Sequence, residues 1–180
     1  MALTHDEVID AAVDVLRKHG LADLTMRRLA RELDVQPGAL YWHVDNKQTL
    51  LVRVASRVLS DIATRSSGNP VTDIRRLANA IRAAVLPIPD GSDVVALGHA
   101  LDPDASPVFG QLRRLVGELT DDPGPATDLL VHHVLGSVGA EQSRRLAGLP
   151  TRGAAAAFAR GLDLALTAIT ATTQPRSAHG

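Results

Sequence analysis

The residues that stand out for their chemistry are Tyr41 and Trp42, which are adjacent in a chain with only one Tyr, one Trp and two Phe. Each side chain combines an apolar ring with a polar tip, which suits a surface that is apolar on one side and wet on the other. A Tyr hydroxyl also donates to phosphate oxygens. The preceding Gly38 and Ala39 are small enough for a helix N-terminus to approach base edges, and an Ala methyl can contact a thymine methyl. These residue types in this order indicate a surface that could bind a nucleic-acid duplex.

The element ahead of this surface is a short helix, followed by a turn. Apolar residues at three- and four-residue steps predict its buried face, namely Met26, Leu29, Ala30 and Leu33. Thr25 comes just before them, where its hydroxyl can accept from a free N–H of the first helical turn. The segment from Asp34 to Gln36 is long enough only for a turn.

A second short helix is predicted from Pro37, because the first helical position needs no backbone N–H. Leu40 and Val44 are expected to face inward. The positions left largely outside are Gly38, Ala39, Tyr41, Trp42 and His43. A competing interpretation makes Tyr41 and Trp42 the core of a small three-helix unit. We favour the exposed arrangement because leucines already supply that core, namely Leu24, Leu29, Leu33, Leu40 and Leu50.

Together these elements predict a helix-turn-helix unit whose second helix enters the major groove of DNA. Arg27 on the preceding helix and Lys47 at the start of the next one are expected to flank the phosphate backbone. The predicted DNA-contacting residues are Thr25, Arg27, Gln36, Pro37, Gly38, Ala39, Tyr41, Trp42, His43 and Lys47.

The overall charge gives no support to nucleic-acid binding. The net charge is −1, and residues 1–50 hold six Lys and Arg against eight Asp and Glu. Binding would therefore depend on a local surface formed by Arg27, Arg28, Arg31 and Lys47. We expect a distinct but modest salt dependence of DNA binding.

The signals around this unit are those of helix ends. Thr4 and Glu7 have the spacing of a capping box, and Gly20 is expected to end the first helix as a left-handed cap. Asp45 or Asn46 is expected to cap a longer helix, whose apolar stripe continues from Leu50 onward. That helix is long enough to leave the DNA-binding unit and connect it mechanically to the rest of the chain.

Composition predicts an all-α protein of about nine helices. Hydrophobic residues make up 45% of the 180 residues but aromatics only 2%, so the core is aliphatic, and the absence of Cys excludes disulfides and thiolate metal sites. We expect a helix-turn-helix domain at 1–47, a larger helical effector-binding and dimerisation domain at 48–173, and a disordered tail at 174–180. With no signal peptide and no run of about 18 uncharged apolar residues, we expect a cytoplasmic protein with no membrane partner.

The larger domain contains several predicted helices. One spans Val94 to Leu101, the next begins at Asp102 to Asp104, and a loop covers Asp121 to Pro125. Two long helices follow, at about Ala126 to Leu146 and Thr151 to Thr172. Their apolar faces are rich in small residues and exceed what one antiparallel pair needs, so we expect a homodimer in which two helices from each subunit form a four-helix bundle. The alternative is packing against the preceding helices of the same chain.

The segment from residue 4 to about 60 resembles the DNA-binding domain of the tetracycline-repressor (TetR) family. The similarity is carried by Leu24-Thr25-Met26-Arg27, by the turn, and by Leu40-Tyr41-Trp42-His43-Val44 followed by Asn46-Lys47. The resemblance implies a homodimeric regulator that binds a palindromic double-stranded DNA operator. It also implies an effector pocket in the larger domain, from which ligand binding lowers the affinity for the operator.

The pocket departs from that of the family's tetracycline-binding members. Their metal-binding His lies in a V-H-L-G run after an Asp-Gly turn, whereas here Ala96 follows Val95 at that place. The polar residues that grip the drug correspond to Ala63, Leu77 and Ile81, and the expected acidic residue corresponds to Ala140. We therefore expect a small, mainly apolar effector and no metal or cofactor. The predicted ligand-binding residues are Ile62, Leu77, Ile81, His99, Phe109, Leu112 and His132.

The sequence shows no catalytic constellation, because paired acids such as Asp121 and Asp122 have no base, nucleophile or phosphate-binding loop beside them. His132 and His133 are adjacent and point to different sides of a helix, so they cannot share a metal in the usual i, i+4 manner. Two alternatives remain open. One is an all-helical small-molecule carrier or enzyme with a non-functional helix-turn-helix, and the other is a protein–protein adaptor that uses the same helix.

Overall fold

The helices that the apolar spacing predicts are present in the computed structural model, which describes residues 3–63 and 66–171. This part of the chain forms nine helices and no strand, which confirms the all-α prediction. In chain order the helices are α1 (His5–His19), α2 (Met26–Glu32), α3 (Pro37–Leu40), α4 (Lys47–Leu59), α5 (Pro70–Val85), α6 (Gly91–Leu101), α7 (Pro107–Gly117), α8 (Pro123–Leu146) and α9 (Ala154–Ala171).

The first three helices form the helix-turn-helix unit, and their ends are fixed by side chains. Thr4 and Glu7 form the predicted capping box, and the Thr25 hydroxyl accepts from the Arg28 N–H at 3.1 Å. Gly20 has the expected positive φ of 78°, but its ψ of −178° is extended, so the expected left-handed cap is wrong in detail. The chain extends there because the next N–H, that of Leu21, points to the Asp90 carboxylate in the larger domain.

Helix α4 joins the unit to the rest of the molecule. The Asn46 side chain caps it by accepting from the Thr49 N–H at 2.9 Å. Its apolar stripe faces α1 on one side and α6 on the other. Gly98 lies where α6 crosses α4, and a Cβ at this position would overlap the Cβ of Ala55. The two helices therefore approach closely because this position of α6 has no side chain.

The larger domain packs α5 to α9 around an aliphatic core. Helix α6 confirms the prediction for Val94 to Leu101, but α7 begins at Pro107, later than expected from Asp102 to Asp104. The expected loop at Asp121 to Pro125 is wrong, because α8 already begins at Pro123. Both Pro123 and Pro125 lie in its first turn, where a missing N–H leaves no helical bond unmade.

The last helix, α9, is buried only on one side. By length and mean hydropathy alone Ala154–Ala171 would suit a bilayer span, although Arg160 and Asp163 interrupt it, and 28% of the stretch is buried. On the outward side Leu164 is 73% exposed. The expected disordered tail at 174–180 lies outside the described residues.

Candidate nucleic-acid interface and effector cavity

The aromatic pair lies at the end of α3 and faces solvent. Trp42 is 91% exposed and Tyr41 51% exposed. The interior of the helix-turn-helix unit is filled by aliphatic residues with no measurable exposure, including Leu24, Leu29, Leu40 and Leu50. The prediction that this pair does not form the core is therefore confirmed. Two adjacent exposed aromatic side chains just after a one-turn helix form an apolar patch of the kind that marks an interaction site.

The N-terminal end of α3 offers small residues and a free side-chain amide near the two rings. Pro37 begins the helix, and the Gln36 side chain at its N-cap makes no capping hydrogen bond, so its amide stays available. A Cβ at Gly38 would meet no atom within 4 Å, which means that the space in front of the helix is open. Ala39 is half-buried, and His43 is half-buried with its ring 6.4 Å from that of His5.

The cations of the predicted local surface fall into two groups. Arg27, Arg31 and Lys47 are exposed, and no ion pair is found for them among the described residues. Arg28 is instead held within the unit, because its guanidinium lies 2.6 Å from His19 Nε2 and 4.0 Å from an Asp23 oxygen. The basic surface that can meet a phosphate backbone is thus narrower than the sequence suggests.

A cavity of about 890 Å³ lies in the larger domain between α6, α8 and the turn that joins α5 to α6; we call it the α6–α8 cavity. Of the seven predicted ligand-binding residues, His99 and His132 line it. The other five do not: Ile62 is half-buried beside the core, and the remaining four are at most 4% exposed within it, namely Leu77, Ile81, Phe109 and Leu112. The structure thus places the two histidines together and the predicted apolar residues elsewhere.

His99 is the most unusual polar group of this cavity. Its Nδ1 atom is buried and has no hydrogen-bond partner in the described chain, and its ring packs 4.4 Å from that of Phe109. Burial lowers the pKa of His99, and the nearby His132 acts in the same direction, whereas Asp128 and Asp104 oppose it. The lowered pKa favours the neutral ring, in which one nitrogen donates a hydrogen bond and the other accepts one.

Other polar residues of the cavity wall are engaged within the fold. The Gln142 amide donates to the carbonyls of Val85, Leu86 and Ile88, and its oxygen accepts from the Ser92 hydroxyl at 2.9 Å. These bonds fix the turn between α5 and α6 against α8. No sequence pattern indicates the role of Gln142, because its partners are backbone carbonyls about 55 residues away in the chain.

The same turn also contacts the helix-turn-helix unit. Asp90, whose φ is 54°, accepts from the Leu21 N–H at 2.8 Å through its carboxylate. A Cβ added at Gly20 would lie 2.7 Å from the same carboxylate, so Gly20 is needed for this approach. The cavity wall and the DNA-binding unit are thus joined by a direct hydrogen bond.

The Glu141 carboxylate on α8 pairs with two arginines and is therefore not free to bind a ligand. Glu141 is 6% exposed and contacts Arg82 of α5 and, at 2.6 Å, Arg145 of α8. The Arg82 guanidinium also lies 5.3 Å from the centre of the Phe158 ring on α9. Among the residues that the structure describes, no three His, Asp or Glu side chains are grouped as a metal site.

Known bacterial regulatory proteins resemble this chain in sequence and in fold. The family model described as bacterial regulatory proteins, tetR family, matches residues 8–54. The tetracycline repressor protein class D of Escherichia coli is 33% identical over 159 residues, which cover 85% of this chain and 72% of the relative. The solved structure of Mycobacterium smegmatis BioQ has a TM-score of 0.82 and 37% identity, with 94% of this chain and 98% of that chain covered.

A second BioQ structure, solved with its double-stranded DNA operator, has a TM-score of 0.80 and 37% identity and covers 94% of this chain and 99% of that one. These relatives are regulators and do not favour the carrier or enzyme alternative. The family that the segment around Tyr41 and Trp42 predicted is confirmed. The chain belongs to the TetR family and is a DNA-binding transcriptional regulator.

Proposed function

We propose that this protein is a homodimeric repressor that binds a palindromic operator through α3 and is released by a small molecule bound in its larger domain. The main observation in favour of this DNA-binding surface is that Trp42 is 91% exposed, although leucines already fill the adjacent core. An indole this exposed contributes little to packing within the described chain. BioQ, which shares the fold, was solved with its operator, and this supports the proposal.

The predicted contacts divide by chemistry. Arg27, Tyr41 and Lys47 would position the protein on phosphates, which carries no sequence information. Gln36, Gly38 and Ala39 lie at the N-terminal end of α3, so they would meet base edges, and a Gln amide can pair with adenine. Thr25, Pro37, Trp42 and His43 complete the proposed surface. Thr25 has a second role, because its hydroxyl already caps α2.

The test is operator binding by the full-length protein, with an operator selected from a random duplex pool. Trp42→Ala and Lys47→Ala should each weaken binding about 5- to 150-fold, since one contact contributes about 1–3 kcal/mol. Leu101→Ala, which truncates an exposed apolar residue of the larger domain, is the matched control and should not change the affinity. Wild-type affinity in both test variants, with helical content intact, would reject the proposed surface.

Dimerisation is proposed through α8 and α9. Their outward sides carry exposed leucines, including Leu129 at 47% and Leu164 at 73% exposure. Exposed small residues such as Ala157 and Ala168 lie two turns before and one turn after Leu164 on α9, and these let a second pair of helices approach closely. A two-fold interface of this kind would also set the distance between two copies of α3 for a palindromic operator.

The oligomeric state tests this interface. Leu164→Lys should shift the protein from dimer to monomer in light scattering coupled to size exclusion. Leu97→Lys, which alters a 40% exposed leucine on α6, is the control and should leave the dimer intact. A monomeric wild-type protein, or a dimer unaffected by Leu164→Lys, would contradict the proposed interface.

We propose that α6 transmits ligand binding to the DNA-binding unit and so causes release of the operator. This helix forms one wall of the α6–α8 cavity and packs closely on α4, which begins at the DNA-binding unit. A ligand can shift the two heads only if it binds one of two arrangements more tightly. Ala96 lines the cavity where the tetracycline-binding proteins have a metal-binding His, so we propose an effector other than a tetracycline–magnesium complex.

The division of the chain follows from these roles. We propose residues 1–47 as the DNA-binding domain and 48–173 as the effector-binding and dimerisation domain, with α4 belonging to the second. We further propose that the protein acts in the cytoplasm, where its operator would lie.

A further inference from the structure

The α6–α8 cavity has two polar ends and an apolar middle. Helices α6 and α8 run in opposite directions, because Ser92 at the start of α6 bonds to Gln142 near the end of α8. Asp93 therefore lies at one end of the cavity, whereas His99 and Asp128 lie at the other. The six helical steps from Asp93 to His99 rise about 9 Å along the helix axis. Small and apolar residues line the stretch between the ends, namely Ala96, Val131, Leu135, Gly136, Gly139 and Ala140.

The charges that line this cavity are unbalanced. Arg145 is the only Lys or Arg among the lining residues, and it contacts Glu141, which also pairs with Arg82. The lining carboxylates are those of Asp90, Asp93 and Asp128. Asp90 binds the Leu21 N–H, whereas Asp93 and Asp128 have no ion-pair partner in the part of the chain that the structure describes. The lining thus holds more carboxylates than guanidinium groups, and two of the carboxylates have no ion-pair partner.

His99 lines the same end of the cavity as Asp128. Its unpartnered Nδ1 has almost no accessible surface, so this atom faces the packed interior, where the ring lies against Phe109. The charges of the cavity, rather than this atom, therefore determine which ligand class it suits.

We propose that the α6–α8 cavity binds elongated, mainly apolar molecules that carry a protonated amine and discriminates against anionic molecules of the same length. The ammonium group meets one of the two carboxylates, and the apolar body covers the floor between them. An anionic head group would instead face an excess of carboxylates, and the one lining arginine, Arg145, is already paired with Glu141. The volume of about 890 Å³ is within the range for such ligands.

This inference rests on the proposed function, because it names the ligand class of the proposed effector site. The ligand preference can nevertheless be measured without DNA. Three probes share one ten-carbon chain and differ only in the head group: n-decylammonium, 1-decanol and decanoate, each used below its micelle-forming concentration. Isothermal titration calorimetry on the full-length protein gives their dissociation constants.

The expected order of affinity is decylammonium, then decanol, then decanoate, with about fivefold between the first two, which corresponds to about 1 kcal/mol for one partly exposed ion pair. Raising the salt concentration should weaken decylammonium binding and leave decanol binding unchanged. The double variant Asp93→Asn with Asp128→Asn should remove the preference for decylammonium. Asp121→Asn changes an exposed carboxylate outside the cavity and should preserve the wild-type order.

Two outcomes would overturn the proposal: decanoate binding as tightly as decylammonium, or the preference surviving in the double variant. Operator release by decylammonium is measured separately. If the charge preference is present but the operator stays bound, the proposed route of release fails and the ligand class stands. If decylammonium releases the operator without needing either carboxylate, the ligand class fails and the repressor function stands.

Discussion

The Asp90 carboxylate accepts a hydrogen bond of 2.8 Å from the backbone N–H of Leu21, 69 residues earlier in the chain. Asp90 belongs to the turn that lines the α6–α8 cavity, and Leu21 follows α1 of the helix-turn-helix unit. The larger domain and the helix-turn-helix unit are therefore connected at a second place besides α4. This contact leads to the first of four predictions.

Replacing Asp90 should weaken the connection between the two parts of the molecule. Asp90→Asn keeps an acceptor oxygen and tolerates the φ of 54°, so it should behave nearly as wild type. Asp90→Gly also suits this φ but loses the acceptor, which leaves a partly buried N–H unpaired and should lower the free energy of unfolding by about 1–3 kcal/mol. Urea denaturation measures the difference, and equal stability of the two variants would show that the bond contributes nothing.

Gly98→Ala should disturb the packing of α6 on α4, since its Cβ would overlap that of Ala55. We expect a loss of about 1–3 kcal/mol in the free energy of unfolding. Gly110→Ala on α7 is the matched control, because a Cβ there meets nothing within 4 Å and should stabilise the helix by up to about 1 kcal/mol. A stabilising Gly98→Ala would mean that the two helices can separate freely.

Glu141→Gln should be strongly destabilising, because it removes the charge that Arg82 and Arg145 share. Arg82 is largely buried, with 15% of its side chain exposed, so leaving it without a counter-charge should cost about 3–5 kcal/mol. Asp163→Asn breaks an exposed pair with Arg75 and should cost less than about 1 kcal/mol. Thermal and urea unfolding measure the loss of stability in each variant. Similar losses in both variants would contradict the view that burial of Arg82 makes its ion pair with Glu141 more important.

His99 should make the protein less stable at mildly acidic pH. Burial lowers the pKa of His99 below its ordinary value, so the unfolded chain binds this proton more readily than the folded chain. The contribution of neutral His99 is complete above about pH 6.5 and is lost as the pH falls through that value towards the lower folded-state pKa. His99→Gln should therefore lose less stability than wild type between pH 7.5 and pH 5.5. An equal loss in both proteins would assign the acid sensitivity to other groups.

The helix ends of the DNA-binding unit could be predicted from sequence because their causes are local. Thr4 and Glu7, Thr25 and Pro37 each act within three or four residues, and the structure confirms each of them. The exposure of Trp42 was predictable for a related reason, since nearby leucines were sufficient for the core. In contrast, the start of α8 at Pro123 was missed, and a loop was expected there. A proline is compatible both with the first turn of a helix and with a loop, so its presence alone does not distinguish the two.

The position of the cavity could not be predicted, because it depends on how helices distant in sequence pack. Leu77 and Phe109 look like pocket residues in the sequence but are buried in the core. Asp93 and Asp128 look like ordinary surface acids until α6 and α8 are placed side by side. Their lack of partners is a property of the assembled fold, so it has no signature in either segment alone.

The exposed indole of Trp42 gives the molecule a built-in optical reporter. Since the chain contains one Trp, its near-ultraviolet emission comes from the tip of α3 and from nowhere else. Operator binding can therefore be followed by fluorescence quenching on unlabelled protein. An event confined to the larger domain should leave the emission unchanged unless it alters the surroundings of Trp42. A shift in emission when a candidate inducer is added without DNA would thus record the transmission step itself.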